Sequence, residues 1–512
     1  MNLLEIVIFL LLCAVALGWV SRRAGLPYPI ALVIGGGALG FVPRLPQLEF
    51  DPQFLLVLVL PPILYQAALL TSWRDFKANL RTIGLLAIGL VLVTTLVVGA
   101  TLKFLIPDIP WAVAFAFGAI VSPPDAVAAT AILHKLSMPR RIVTVLEGES
   151  LVNDASGLVL YKFAIAAALS GVFSLFDASV QFALVAIGGV AIGMVLAGLF
   201  VLLHRYLHDP FTEVLLSLSV PYIAYVTAEY LHVSGVLAVV AAGLLRGRYA
   251  PAMVSAEMRI LARSVWNILV FMLNSLIFIL IGVQLSAVVS RLEGYTGWDL
   301  AAYALAVSMV AIIVRFAWVY FAEYLPAWIS RFTGRKIEPL LPGEAFIVSW
   351  CGMRGIVSLA AALALPIEIS QRDLIIYLTF VVILVTLVVQ GLTLAPLIRR
   401  LKLGSDHSVR DEQRLARVSM GRAALTAIER SGAEGHVQPE VVERIRAEFA
   451  ERMASGSLIE QMSGSYAPPT RLRLAAVRAE RGELIRLWQE GAISDDVLHH
   501  LEEELDYEES RL

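Results

Sequence analysis

The chain has 512 residues, of which 58% are hydrophobic and 16% charged, with a net charge of −2. Soluble domains carry about 25% charged residues, so this composition and a mean hydropathy of +0.78 exclude a string of soluble domains and describe a polytopic helical membrane protein. A disulfide scaffold is excluded because the two cysteines, Cys13 and Cys351, sit inside apolar runs, and the near-neutral charge gives no sign of nucleic-acid binding.

No Lys or Arg precedes the first apolar run, and Arg22–Arg23 follow it. It therefore reads as a first span with its N-terminus outside, not as a cleavable signal. A hydrocarbon core needs about 20 apolar residues per helix. On that measure thirteen spans are predicted, near 3–20, 28–42, 53–70, 80–106, 111–134, 142–169, 180–203, 211–231, 233–246, 265–288, 299–321, 343–366 and 374–398. The loops then assigned to the cytoplasm hold sixteen basic residues, including Arg74, Lys77, Arg81, Arg140 and Arg141, against Arg44, Lys103, Arg291 and Arg372 outside. That asymmetry predicts a multi-pass plasma-membrane protein with an outside N-terminus and a cytoplasmic C-terminus. Residues 1–400 form the transmembrane domain. From 401 to 512 the chain turns Arg/Glu/Ala-rich, with helical periodicity in "VVERIRAEFAERM" and "AVRAERGELIRLWQ", and reads as a soluble helical tail.

Charges near span centres are costly and mark function by default. In the fifth span, "GAIVSPPDAVAATAI", Pro123 and Pro124 remove two backbone donors beside Asp125. The helix should break there, leaving free carbonyls next to a carboxylate. The sixth span, "LEGESLVNDASGLVLYKFA", places Ser150, Asn153, Asp154 and Gly157 at spacings of three and four, one polar stripe on a helix. Helix packing accounts for Ser150, Asn153 and Gly157 as readily as ion binding does; it does not account for Asp154. In the twelfth span, "SWCGMRGIVSLAAALALP", Gly352 and Gly355 bracket Arg354 and predict a second break. If spans 1–6 and 8–13 are inverted six-helix units, the two breaks fall at matching positions, the sequence pointer to a transporter site.

A buried carboxylate among hydroxyl and carbonyl oxygens accepts either a proton or a hard monovalent cation, and the two displace each other. Arg354 needs a buried anion, and Glu149 is the best unclaimed one; Arg315 has no partner evident from the sequence. Lys162 stands toward the outer end of the sixth span, where it can snorkel.

Together with "LPPILYQA" in the third span, the segments "SPPDAVAA", "EGESLVNDASGLVLYKFA" and "GMRGIVSLAAALALP" resemble the cation/proton antiporter-1 family of bacterial NhaP-type and animal sodium/proton exchangers. The resemblance covers residues 1–400. It implies an all-α fold of thirteen helices in inverted six-helix repeats, a homodimer, and a mobile core of crossed, unwound helices. It also implies sodium, lithium or potassium ions and protons as substrates. By that similarity Asp154 carries the proton or cation, and Asn153 is its partner. Asp125 and Ser150 support or coordinate the ion, Pro124 offers a backbone carbonyl, and Glu149 and Arg354 form a structural ion pair. Asn153 before Asp154 resembles the electroneutral members. Two departures stand out: Gln66 replaces an acidic residue common on the ion path, and Ala126 follows Asp125 where the family has proline.

Other classes fit less well. A channel filter usually repeats around an axis, and this stripe occurs once. Asp125, Asp154 and Ser150 lie in no protease motif. No phosphate loop marks a nucleotide site, and no cofactor is expected.

Overall fold

The computed structural model describes residues 3–24, 27–42, 52–136, 138–171, 174–204, 206–207, 209–253, 256–290, 292, 295–333, 339–401 and 403, with isolated positions between 426 and 447. The chain divides into two compact units, Met1–Ser405 and Asp406–Leu512. The tail's predicted helices lie outside the described residues but for those isolated positions.

Among the described residues the first unit is helical throughout its ordered elements and has no strand. The helices are α1 (Leu3–Ala24), α2 (Tyr28–Gly40), α3 (Pro52–Leu70), α4 (Leu80–Leu105), α5 (Trp111–Val121), α6 (Val127–Lys135), α7 (Arg140–Ser170), α8 (Leu175–His204), α9 (Pro210–Tyr230), α10 (Gly235–Met253), α11 (Ala256–Ser290), α12 (Gly297–Thr333), α13 (Pro342–Trp350), α14 (Ile356–Leu363) and α15 (Arg372–Leu401). A short helix, Trp73–Ala78, joins α3 to α4. Each predicted span is helical, and the fifth and twelfth are each two half-helices. Among the described residues seven helices are unbroken, long and apolar enough to cross a membrane: α4, α7, α8, α9, α11, α12 and α15. Several helices overrun their predicted bounds, α11 and α12 by the most. α11 begins at Ala256 and α12 continues to Thr333, because charges that end an apolar window do not end a helix.

Local chemistry sets the boundaries. Asp209 caps α9 by accepting from the Thr212 amide at 2.8 Å, and Pro210 occupies the first helical position. α7 stops at Gly171, whose φ of +72° suits glycine. α4 contains a π-helical turn at Leu85–Leu90, and the Leu85 carbonyl accepts from Trp318 Nε1 at 2.9 Å.

Packing sorts the helices into two bundles: α1–α3 with α8–α11, and α4–α7 with α12–α15. The short α2 is seated on α11 by small residues. A Cβ on Gly36 would strike the Ile279 carbonyl, and one on Gly282 the Val33 carbonyl, so backbones touch backbones there. α8 leaves Leu184, Ile187 and Val195 uncovered, as a lipid-facing helix does. The bundles meet where α3, α10 and α11 face α7, α14 and α15. Lys162 on α7 crosses that seam to Glu229 on α9 at 3.2 Å.

Candidate ion-binding site

The two non-helical segments, Ser122–Ala126 and Cys351–Gly355, cross inside the second bundle. The Asp125 amide donates to the Met353 carbonyl at 2.7 Å, so each break satisfies part of the other's backbone. Breaking a helix exposes carbonyls at the end of the first half and amides at the start of the second. Each exposed end meets a side chain of suitable charge. Arg354 Nε donates to the Val121 carbonyl, the last of α5, at 3.0 Å, and Nη1 donates to the Gly352 carbonyl. Arg315 donates to the Val348 carbonyl in the last turn of α13, at 3.0 Å from Nη2. Asp125 Oδ1 accepts from the Val127 amide at the start of α6 at 2.8 Å, and its carboxylate also faces the Ile356 amide that starts α14. One carboxylate thus answers two helix N-termini.

The ion pair is corrected by the structure. Glu149 is paired with Arg315, not Arg354: Nη1 donates to Oε1 at 2.6 Å and Nη2 to Oε2 at 2.9 Å, with both side chains 1% exposed. The fork geometry of two parallel bonds explains the preference for Arg315. Arg354 is committed to the carbonyls of Val121 and Gly352 and cannot present the same fork to Glu149. Arg315 therefore ties α7 to the break between α13 and α14.

A cavity of about 310 Å³ lies along the seam between the bundles, large enough for several waters or a partly hydrated ion. On α7 it is lined by Glu147, Ser150, Leu151 and Asp154, one helix face at spacings of three, four and seven. Asp125, Ala126 and Thr130 line it from the first broken helix, Gly355, Ile356 and Ser358 from the second, and Leu60, Leu64, Ala67 and Leu70 from α3. It extends toward the end of the helices that carries Leu70 and Glu147. On the other side, Val59, Leu60 and Ile356 also line a second cavity of about 30 Å³, which contains Gln284.

Asp154 is 7% exposed, and its carboxylate accepts no hydrogen bond from any described residue. Ser150 Oγ accepts from the Ala126 amide at 3.4 Å, holding α7 against the break. The polar stripe divides. Ser150 and Asp154 face the cavity, whereas Asn153 Nδ2 donates to the Pro124 carbonyl at 2.8 Å. That carbonyl is directed to Asn153 instead of into the cavity, which Pro124 does not line. Gly157 lets α7 approach Pro123, since a Cβ there would lie 3.1 Å from its ring. Gln66, expected on the ion path, does not line this cavity; its amide donates to Asn267 Oδ1 on α11 at 3.1 Å. Sequence reading missed Glu147 and Ser358. Glu147 lies seven residues before Asp154 on the same face, and Ser358 is the one hydroxyl in the apolar stretch of α14.

The broken pair of helices, the paired buried charges and the seam cavity make up the site, and matches to known proteins cover the residues that build it. A family model described as "Sodium/hydrogen exchanger, transmembrane" matches residues 7–400. This chain belongs to the sodium/hydrogen exchanger family. An uncharacterised Na+/H+ exchanger of Mycobacterium tuberculosis is 34% identical over 524 residues, covering 99% of this chain and 96% of that protein. A sodium, potassium, lithium and rubidium/H+ antiporter of Bacillus pumilus is 31% identical, covering 93% of this chain and 73% of the relative. The solved structure of the sodium proton antiporter MjNhaP1 from Methanocaldococcus jannaschii shares the fold, with a TM-score of 0.62 at 19% identity over 78% of this chain and 98% of that one.

In this exchanger Gly355 has a steric task. A Cβ there would overlap the Asp125 carboxylate. Gly355→Ala should push the two breaks apart, cost about 1–3 kcal/mol and lower the thermal midpoint of the detergent-purified protein. An unchanged midpoint would mean that the breaks can separate freely.

Proposed function

We propose that the chain exchanges sodium ions for protons across the plasma membrane, one for one, as a homodimer. The observation that carries this reading is Asp154: a buried carboxylate, without a hydrogen-bond donor among the described residues, on the wall of a cavity between two helix bundles. A carboxylate so placed is stable when it holds a proton or a cation, and holding one excludes the other. Exchange follows when the seam opens alternately to the two sides.

Asp154, Asp125 and Ser150 supply oxygens to the ion. Asn153 holds the Pro124 carbonyl, and Glu149 and Arg315 keep α7 in register with the breaks. The basic residues of the loops assign the Leu70 end to the cytoplasm, so the conformation faces inward, with Val59, Leu60 and Ile356 closing the outer side. Moving either bundle far enough to open that side separates Lys162 from Glu229.

The test is purified protein in liposomes with an imposed pH gradient, following lumenal pH as sodium, lithium and potassium are added in turn. Cation-dependent proton flux that is insensitive to a clamped membrane potential is expected, with sodium or lithium first. Flux that tracks voltage would overturn one-for-one exchange, and potassium ranked first would overturn the assignment of sodium. The Bacillus pumilus relative is named for all of these ions and rubidium.

A further inference from the structure

Ser358 is 1% exposed, lines the same cavity as Asp154, Asp125 and Ser150, and its Oγ has no hydrogen-bond partner among the described residues. Serine and threonine in helices ordinarily bond back to the carbonyl three or four residues earlier. This chain follows that habit elsewhere: Ser349 Oγ donates to the Ala345 carbonyl at 2.7 Å and Thr130 Oγ1 to the Ala126 carbonyl at 2.9 Å. For Ser358 the residues three and four earlier are Gly355 and Arg354, which belong to the unwound segment. The break that gives Asp125 the amide of Ile356 has therefore deprived Ser358 of its own acceptor. A buried hydroxyl left without a partner costs free energy and calls for a ligand.

We infer that Ser358 is a further ligand of the transported cation, through its hydroxyl oxygen. This rests on the reading that Asp154 carries the ion. Without Ser358, every side-chain oxygen offered to the ion comes from α7 and the first break. With it, a dehydrated cation is held by both broken helices at once. A small hard cation needs several oxygens to replace its water. The reach of Ser358 across the cavity then sets which alkali cation fills the gap.

The experiment measures exchange in liposomes for the wild type, Ser358→Ala, Ser358→Thr and Ser358→Cys, with sodium, lithium and thallium(I) as the cations. Ser308→Ala is the control, because Ser308 is also buried with an unpartnered Oγ but lies on α12 away from the cavity. Ser358→Ala should raise the apparent KM for sodium about tenfold, equivalent to about 1.4 kcal/mol. Ser358→Thr should restore it to within about twofold, and Ser358→Cys should shift preference toward thallium, since sulfur suits a softer ion. Ser308→Ala should leave the ion ranking unchanged. Should Ser358→Ala fail to fold, the threonine and cysteine variants still decide the matter. Ser358 variants with wild-type KM and ranking would overturn this inference alone. A wild type with no cation-dependent proton flux would instead overturn the reading of Asp154.

Discussion

Asp154→Asn abolishes cation-dependent proton flux and leaves a folded, membrane-inserted protein. The carboxylate has no hydrogen-bond donor to lose among the described residues, so the amide removes charge and proton capacity without orphaning a partner. It also relieves the repulsion between two carboxylates on one cavity wall, Asp125 and Asp154. The thermal midpoint should therefore stay level or rise, while flux in liposomes falls to that of empty vesicles. A variant that still exchanged at wild-type rate would remove Asp154 from the mechanism.

The second large effect concerns Glu149 and Arg315, and it is one of stability. Removing either partner of a buried ion pair leaves the other charge alone, at a cost of about 3–5 kcal/mol, whereas replacing both with apolar residues is often near neutral. Glu149→Leu and Arg315→Leu should each give little folded protein, and the double variant should recover much of the loss. Glu149→Leu with Arg354→Leu should recover far less, because Arg354 donates its hydrogen bonds to carbonyls of the broken helices, and Glu149 accepts its two from Arg315. Thermal midpoints of the four proteins in each cycle measure the coupling directly. Coupling to Arg354 and none to Arg315 would contradict the fork seen here.

Particular residues show what the sequence could and could not carry. Pro123–Pro124 and Gly352–Gly355 announce both breaks, because proline removes donors and glycine weakens helices whatever surrounds them. Asp154 announces itself by its charge at mid-span. The partner of Glu149 is a different kind of fact. Arg315 and Arg354 are both mid-span cations, and the choice depends on how α12 is rotated and on which carbonyls the second break leaves free. Neither is written in spacing. The contact of Gln66 is hidden for the same reason: the rotation of α3, which spacing does not carry, gives its amide to Asn267. Ser358 carries no signal in the sequence, since an isolated serine in an apolar helix normally bonds to its own backbone. Only the position of the break relative to Ser358 removes that possibility. The helical tail predicted for residues 401–512 lies almost wholly outside the described residues.

The shared wall of Val59, Leu60 and Ile356 bears on how the exchanger responds to an electric field. Water filling the larger cavity would bring the potential of one solution up to that wall, so the membrane voltage would fall across the closed part of the protein beyond it. A net charge carried past it would feel nearly the full field, about 2.3 kcal/mol per elementary charge for each 100 mV. In the proposed one-for-one exchange the site holds one proton on one passage and one sodium ion on the other, so its net charge is the same both ways. The work done by the field in one half of the cycle is returned in the other. A cell could then let its membrane voltage swing freely, and the direction of exchange would still follow the two concentration gradients alone.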